Sequence, residues 1–288
     1  MQASLPAVLA YHKIGTPELG GTWCGVRQFA AHLDALTRAG VRGIDVEQFA
    51  RRLDSLAQRP ATQHRVATND ATTGRHAAAA HPRREVLITF DDGYASFAAK
   101  AWPLLRARSV PSLLFVVTDF VGRRSSWDLP LPGRRVWHLD WAELRALQAE
   151  GVAIGSHSLS HRDLTRLDDR TLQRELEGSR QRLEDALGAG VHTLSYPFGR
   201  CDARVAAAAA ASGYVLGFAM SAPRGHVHPL ALRRFGVYIV DSPQAVLDKV
   251  DASRRLWWVQ DLFTRGVSAV AALAARHTGN IGPAPRDG

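Results

Sequence analysis

The sequence predicts an α/β protein built on a mainly parallel sheet, and three observations carry that expectation. Strand-length apolar runs alternate with helix-periodic segments from about residue 7 to residue 250. A repeated β-then-α order calls for crossover connections, which generate parallel strands. The 288 residues, 46% of them hydrophobic, suit one large domain with a substantial core better than two small ones. At this level the sheet is either open and doubly wound or closed as a barrel.

The elements follow in order. AVLAYH (7–12) reads as the first strand, and VRQFAAHLDALTRAG (26–40) as a helix with Phe29, Leu33 and Leu36 on one face and Gly40 as its stop. The segment 57–84 is polar, poor in aliphatics and without periodicity, as expected of a long surface loop or disordered insertion. Its His64, His76 and His81 have nothing nearby to hold them rigid around a metal. Alternation resumes with the strand EVLITF (85–90), a helix near 94–107, the strand PSLLFVV (111–117) and the helix DWAELRALQAEG (140–151), for which Asp140 is the N-cap. Next come the strand VAIGSH (152–157), a helix over 170–188, the strand HTLSYP (192–197), an alanine-rich helix (202–212) and the strand YVLGFAM (214–220). The strand RRFGVYIV (233–240) and the helix PQAVLDKV (243–250) end the alternation. The expected organisation is a domain over 1–253 and a C-terminal helix with a tail over 254–288.

Composition narrows the function classes. A formal charge of +9 and a pI near 10.3 suit a polyanionic partner. The arginines are scattered in pairs, however, without a basic helix interleaved with aromatics, so nucleic acid is not the expected partner. Neither GxGxxG nor GxxxxGK[ST] stands at a strand-to-helix junction, which removes support for the nucleotide-binding versions of such sheets. Cys24 and Cys201 show no ligand spacing and are expected as free thiols in a reducing compartment. MQASLPAVLAYHKIG carries neither a basic n-region nor a signal-length apolar stretch, so a cytoplasmic location is expected. In the tail, Trp257, Trp258, Phe263, Val267 and Val270 lie between arginines, as in an interfacial helix docking on the inner membrane face. A helix packed on the domain is an equal alternative.

In parallel α/β architectures, functional groups gather at the carboxyl ends of the strands. EVLITFDDG ends in adjacent acids, Asp91 and Asp92, and VAIGSHSLSH ends in His157 and His161 at i and i+4. Chance alone supplies about one HxxxH pair in every two chains of this composition, so position matters more than spacing. If a helical turn follows the strand, that spacing stacks both imidazoles on one face. One carboxylate with two imidazoles is an open three-ligand set for a divalent metal, and a second carboxylate beside it is poised to take a proton from water. HTLSYPFG then supplies a Pro-Phe-Gly turn whose backbone N–H groups could meet an oxyanion.

TFDDG, HSLSH and SYPFG, in that order and each at a strand end, resemble the successive motifs of the polysaccharide deacetylases, carbohydrate esterase family 4, with the chitooligosaccharide deacetylases. LAYHKIG, SSWD (125–128) and LRRFGV (232–237) add to the likeness, which spans roughly residues 7 to 250. The resemblance implies a distorted (β/α) barrel of about seven parallel strands and a metal-dependent hydrolase that removes N-acetyl groups from the amino sugars of a polysaccharide, oligosaccharide or lipid-linked glycan. It implies Asp91 as general base, Asp92, His157 and His161 as metal ligands, the Phe198 amide as oxyanion donor, and Tyr196, Pro197 and Trp127 at the substrate. Zinc is the expected metal, with cobalt or nickel also compatible.

Two departures stand out. Many members carry an arginine before the Pro-aromatic turn to hold the base. Here Ser195 and Tyr196 occupy that place, and Arg234 is the candidate substitute. The C-terminal Leu-x-His motif that protonates the departing amine is missing, and His12 at the end of the first strand is the candidate acid, ahead of His226 and His228. A non-catalytic carbohydrate-binding protein on the same fold is the alternative reading.

Overall fold

The computed structural model describes residues 5–18, 21–58, 84–128, 135–220 and 227–251. Most of the 57–84 segment, His226 and the expected 254–277 helix lie outside the described residues.

Seven staves of parallel strand form the sheet. Starting at β1 (Ala7–Tyr11), the order runs through β5 (Glu85–Phe90), β6 (Ser112–Val116), β7 (Ala153–Ser156), β8 (Thr193–Ser195) and β9 (Leu216–Ala219) to β10 (Leu232–Arg233). The chain then leaves β10 and, two residues later, pairs as β11 (Phe235–Gly236) with the free edge of β1. The stretch 232–237 therefore bridges both edges of the sheet. Arg234 N–H donates to the Ala219 carbonyl on one side, and Val237 N–H to the Ala10 carbonyl on the other. The sheet is thereby nearly closed into the expected distorted barrel, and Arg234 sits at the switch between partners. The strand expected over 233–240 is thus two short pieces, because a single regular strand cannot pair with both edges.

Alternation along β5 explains how the barrel is filled. Val86, Ile88 and Phe90 face the outer helices, whereas Leu87 points inward with Val8, Leu113, Phe115, Phe218 and Leu232. All six β5 residues are buried, the mark of a strand covered on both faces. Each large side chain so buried contributes roughly 1.5–3 kcal/mol.

The outer layer comprises α1 (Val26–Arg38), α3 (Trp102–Arg106), α4 (Trp141–Ala149), α5 (Asp169–Leu187), α6 (Ala203–Ala211) and α7 (Pro243–Val250). As expected, Asp140 caps α4, accepting from Glu143 N–H at 2.8 Å while the Glu143 side chain accepts from Asp140 N–H. Before α3, residues 97–101 form a wider π turn, so the helix expected near 94–107 is shorter and irregular.

Three features go beyond the sequence reading. The helix α2 (Val46–Ala57) follows a two-residue strand β4 (Arg42–Gly43), and its Phe49 and Leu53 join the interior cluster. Val46, Phe49, Ala50 and Leu53 at i, i+3, i+4 and i+7, behind Asp45 as N-cap, were a legible helix signal. A parallel pair, β2 (Lys13–Ile14) with β3 (Trp23–Cys24), lies beyond the end of β1.

Candidate active site

The strand ends deliver the side chains that the motifs named. Asp91 follows β5 directly and continues its inward alternation after Leu87 and Thr89. Its two carboxylate oxygens accept parallel hydrogen bonds from the Nη1 and Nη2 of Arg234, each 2.7 Å long. Arg234 is 2% exposed and also donates to Thr89 Oγ1 and Ser195 Oγ, at 3.1 and 2.7 Å. Burial alone would raise the Asp91 carboxyl, but the Arg234 guanidinium, followed by His157, brings it down to about 2. Asp91 is therefore an ionised carboxylate held in one orientation. His12, from the end of β1, places Nε2 3.9 Å from Asp91 Oδ2. Burial lowers the His12 pKa against the pull of Asp91 and Asp92.

The chain turns sharply after Asp91. Asp92 and Gly93 both have φ of 70°, a left-handed pair in which glycine takes one position and aspartate, a residue tolerant of this region, the other. The turn swings Asp92 away from Arg234 and towards the histidines. Asp92 Oδ1 lies 3.4 Å from His157 Nε2 and 3.3 Å from His161 Nε2. Two donors each about 2.0–2.1 Å from a tetrahedral zinc lie about 3.3 Å apart, so these spacings fit a shared ion.

Hydrogen bonding supports the same fit. The Ser195 carbonyl accepts from His157 Nδ1 at 2.7 Å, which leaves the Nε2 lone pair turned towards Asp92. Asp92 Oδ1 is buried without a hydrogen-bond partner. A lone pair facing an anionic oxygen in a buried site calls for positive charge between them. Without a metal, protonation of His157 is the available source. Its pKa is raised, burial being outweighed by Asp91 and Asp92. Burial pushes His161 the other way, to about 4, with Asp92 opposing. Among the described residues, Asp92, His157 and His161 form one group able to hold a metal ion.

The two histidines do not share a helical turn, so the condition under which their spacing would stack them on one helix face is not met. Residues 157–161 form a bend in which Ser158 and His161 have φ of 65° and 59°, and this irregular backbone brings the imidazole nitrogens together. Phe198, in the turn after β8, is also left-handed, at φ 58°. Its ring stands 4.9 Å from that of His161.

The remaining expected site residues divide. Trp127 stacks on His161, with centroids 4.5 Å apart and planes at 19°, and its indole N–H donates to Tyr94 Oη at 3.2 Å. Tyr94 in turn donates to Asp128 at 3.0 Å, and Asp128 also accepts from the buried Lys13 ammonium at 2.5 Å. Neither this support nor His138, whose Nδ1 donates to the Asp92 carbonyl at 2.8 Å, was foreseen from the sequence. The SSWD tetrapeptide itself was its only signal.

Tyr196 requires correction as a substrate contact. Ser195 points inward to Arg234, so the next side chain points outward, where Tyr196 is fully buried and donates its hydroxyl to the Leu230 carbonyl at 2.7 Å. Pro197 is also buried and opens the turn that presents Phe198. His228 accepts from Leu230 N–H at 3.1 Å.

A parallel barrel with an Asp-His-His group and a clamped second aspartate at its strand ends defines the class: an α/β barrel with a candidate metal centre. The comparisons with known proteins are specific. Residues 78–217 match the family model for polysaccharide deacetylase. YxkH of Bacillus subtilis, which bears the same family name, is 27% identical over 132 residues, 46% of this chain and 43% of that protein. The poly-β-1,6-N-acetyl-D-glucosamine N-deacetylase of Staphylococcus aureus is 24% identical over 127 residues, 41% of each chain. These matches cover less than half the length of either relative. In fold, the chain is similar to the Streptococcus pyogenes deacetylase PplD, with a TM-score of 0.65 at 20% identity over 85% of this chain and 97% of that one. It is similarly close to IcaB from Ammonifex degensii, with a TM-score of 0.61 at 21% identity over 87% and 97%.

Proposed function

We propose that the protein is a metal-dependent N-deacetylase of amino sugars in a glycan. The carrying observation is the division of labour between adjacent carboxylates: Asp91 is clamped by Arg234, whereas Asp92 faces two imidazole nitrogens with an unpartnered oxygen. The substrate class follows the family match and the relative that acts on poly-N-acetylglucosamine.

Asp92, His157 and His161 would hold the ion, with zinc favoured by the mixed nitrogen and oxygen donors and cobalt or nickel also compatible. A divalent cation held by these three residues would supply Lewis-acid polarisation of the acyl carbonyl and ease the deprotonation of water. Asp91 accepts the proton from the attacking water, and Arg234 keeps the carboxylate ionised and aimed. The amide N–H of Phe198 donates to the oxygen that gains charge as the carbonyl carbon becomes tetrahedral. One such donor is worth about 3–4 kcal/mol. His12, beside Asp91, passes on to the sugar nitrogen the proton that Asp91 took from water as the C–N bond breaks, giving free amine and acetate. Trp127 and Phe198 flank His161 and offer apolar surface to the sugar ring and its methyl group.

The test is acetate release from N-acetylglucosamine oligomers, both β-1,4 and β-1,6 linked, by zinc-loaded wild type and Asp91→Asn. Release by wild type alone supports the reading. A zinc-loaded wild type that binds these oligomers and releases nothing contradicts it in favour of a non-catalytic glycan-binding role.

A further inference from the structure

We infer that Glu175, on α5, is a positioning residue for the two histidines of the candidate metal centre, acting through the bend that separates them. The inference rests on the metal-binding reading above.

Glu175 is 1% exposed. Its Oε2 accepts from the backbone N–H of both Leu159 and Ser160, at 3.0 and 2.9 Å, and its Oε1 accepts from the Ser160 hydroxyl. The third N–H between the histidines, that of Ser158, donates to Ser156 Oγ at 3.2 Å, and Ser156 Oγ is bonded to Ser179 Oγ of α5 at 2.8 Å. All three N–H groups between His157 and His161 are thus fixed by side chains, and in each case the support leads to α5.

This bend needs such support. Ser158 and His161 both stand in the left-handed region, which β-carbon crowding makes unfavourable without outside contacts. From the other side, Thr118 and Asp119 N–H groups donate to the Ser158 and Leu159 carbonyls, at 3.3 and 2.9 Å. Glu175 is the one charged group in this support, and among the described residues no ion pair to it competes for its oxygens. A buried carboxylate without a counter-ion is a costly way to pack a helix against a loop. Its acceptor capacity matches three donors of the bend, the N–H groups of Leu159 and Ser160 and the Ser160 hydroxyl. Glu175 therefore holds the bend and sets the angle at which His161 meets Asp92.

The test is the zinc dissociation constant, by chelator competition on the full chain, beside the melting temperature of the metal-free protein. Glu175→Gln keeps one carbonyl oxygen for the two N–H groups, and the Ser160 hydroxyl can turn to accept. Zinc affinity within about threefold of wild type is expected for Glu175→Gln and a loss of about 10–100-fold for Glu175→Ala, the range typical of groups that orient ligands. Should Glu175→Ala fail to fold, Glu175→Asp, with the same charge and a shorter reach, carries the same expected loss. A purely structural Glu175 would lower the metal-free melting temperature and leave the zinc constant of the folded protein unchanged, and that outcome overturns the inference. If wild type binds zinc and Glu175→Ala binds it equally, this assignment fails alone; if wild type binds none, the metal reading fails and takes the assignment with it.

Discussion

Arg234 and Asp91, 143 residues apart in sequence, meet in a bidentate pair whose two bonds are both 2.7 Å. The pairing exists because Arg234 stands where the closing segment passes from β9 to β1, so closure of the barrel and orientation of the candidate base depend on one residue. A lysine can supply the charge but not the fork. Arg234→Lys is expected to lower kcat for acetate release by about 100-fold or more, at unchanged metal content, since misplacing a reacting group by about 1 Å has effects of this size. Arg234→Met leaves Asp91 buried and unpaired, and its urea midpoint should report a loss of about 3–5 kcal/mol.

His12 is close to Asp91 and distinct from the ligand group. His12→Gln should reduce kcat by about 100-fold or more while zinc stoichiometry stays at the wild-type value, as measured by metal analysis of the same samples. Unchanged acetate release would remove it from the mechanism.

Metal binding should stabilise the fold, because the three ligands come from β5 and β7 ends that the unfolded chain does not hold together. At a free zinc concentration 100 times its dissociation constant, wild type should gain about 2.7 kcal/mol, seen as a rise in melting temperature. His161→Ala should show little or none of this rise.

Glu85, at the start of β5, ties β4 and α2 to the barrel through Arg42 and Arg52, at 2.5 and 2.8 Å. The Arg52 hydrogen bonds, opposed by burial and aided by Arg42, lower its pKa to about 2. A depressed carboxyl contributes stability that is present above its unfolded value near 4.5 and is lost as pH falls towards 2. Both arginines are about half exposed, so solvent screening limits the contribution to about 1 kcal/mol. Glu85→Gln should flatten the acid limb of stability between pH 4.5 and 2, as followed by urea midpoints.

Much of this arrangement was legible in the sequence because it rests on local patterns. The apolar run ending in Asp91 and Asp92 gave β5 and its strand-end acids, and the same logic placed His157, His161 and Phe198. Arg234 was reached by asking what replaces a missing arginine, and it lies where that question pointed. What escaped was non-local or irregular. The split of the last strand follows from a closure that no window of residues encodes. The left-handed bend at 158–161 has the spacing of a helical turn, and contacts with α5 and with residues 118 and 119 decide otherwise. Tyr196 faces outward because strand alternation continues beyond Ser195. The Lys13, Tyr94 and Asp128 cluster joins three distant segments, so its parts look unremarkable until they meet.

The most direct test of the central claim measures bound metal and released acetate together, on N-acetylglucosamine oligomers, for wild type and Asp92→Asn. The account predicts about one equivalent of zinc and acetate release for wild type, and loss of both in the variant. Acetate release by a metal-depleted Asp92→Asn protein at the wild-type rate would contradict it.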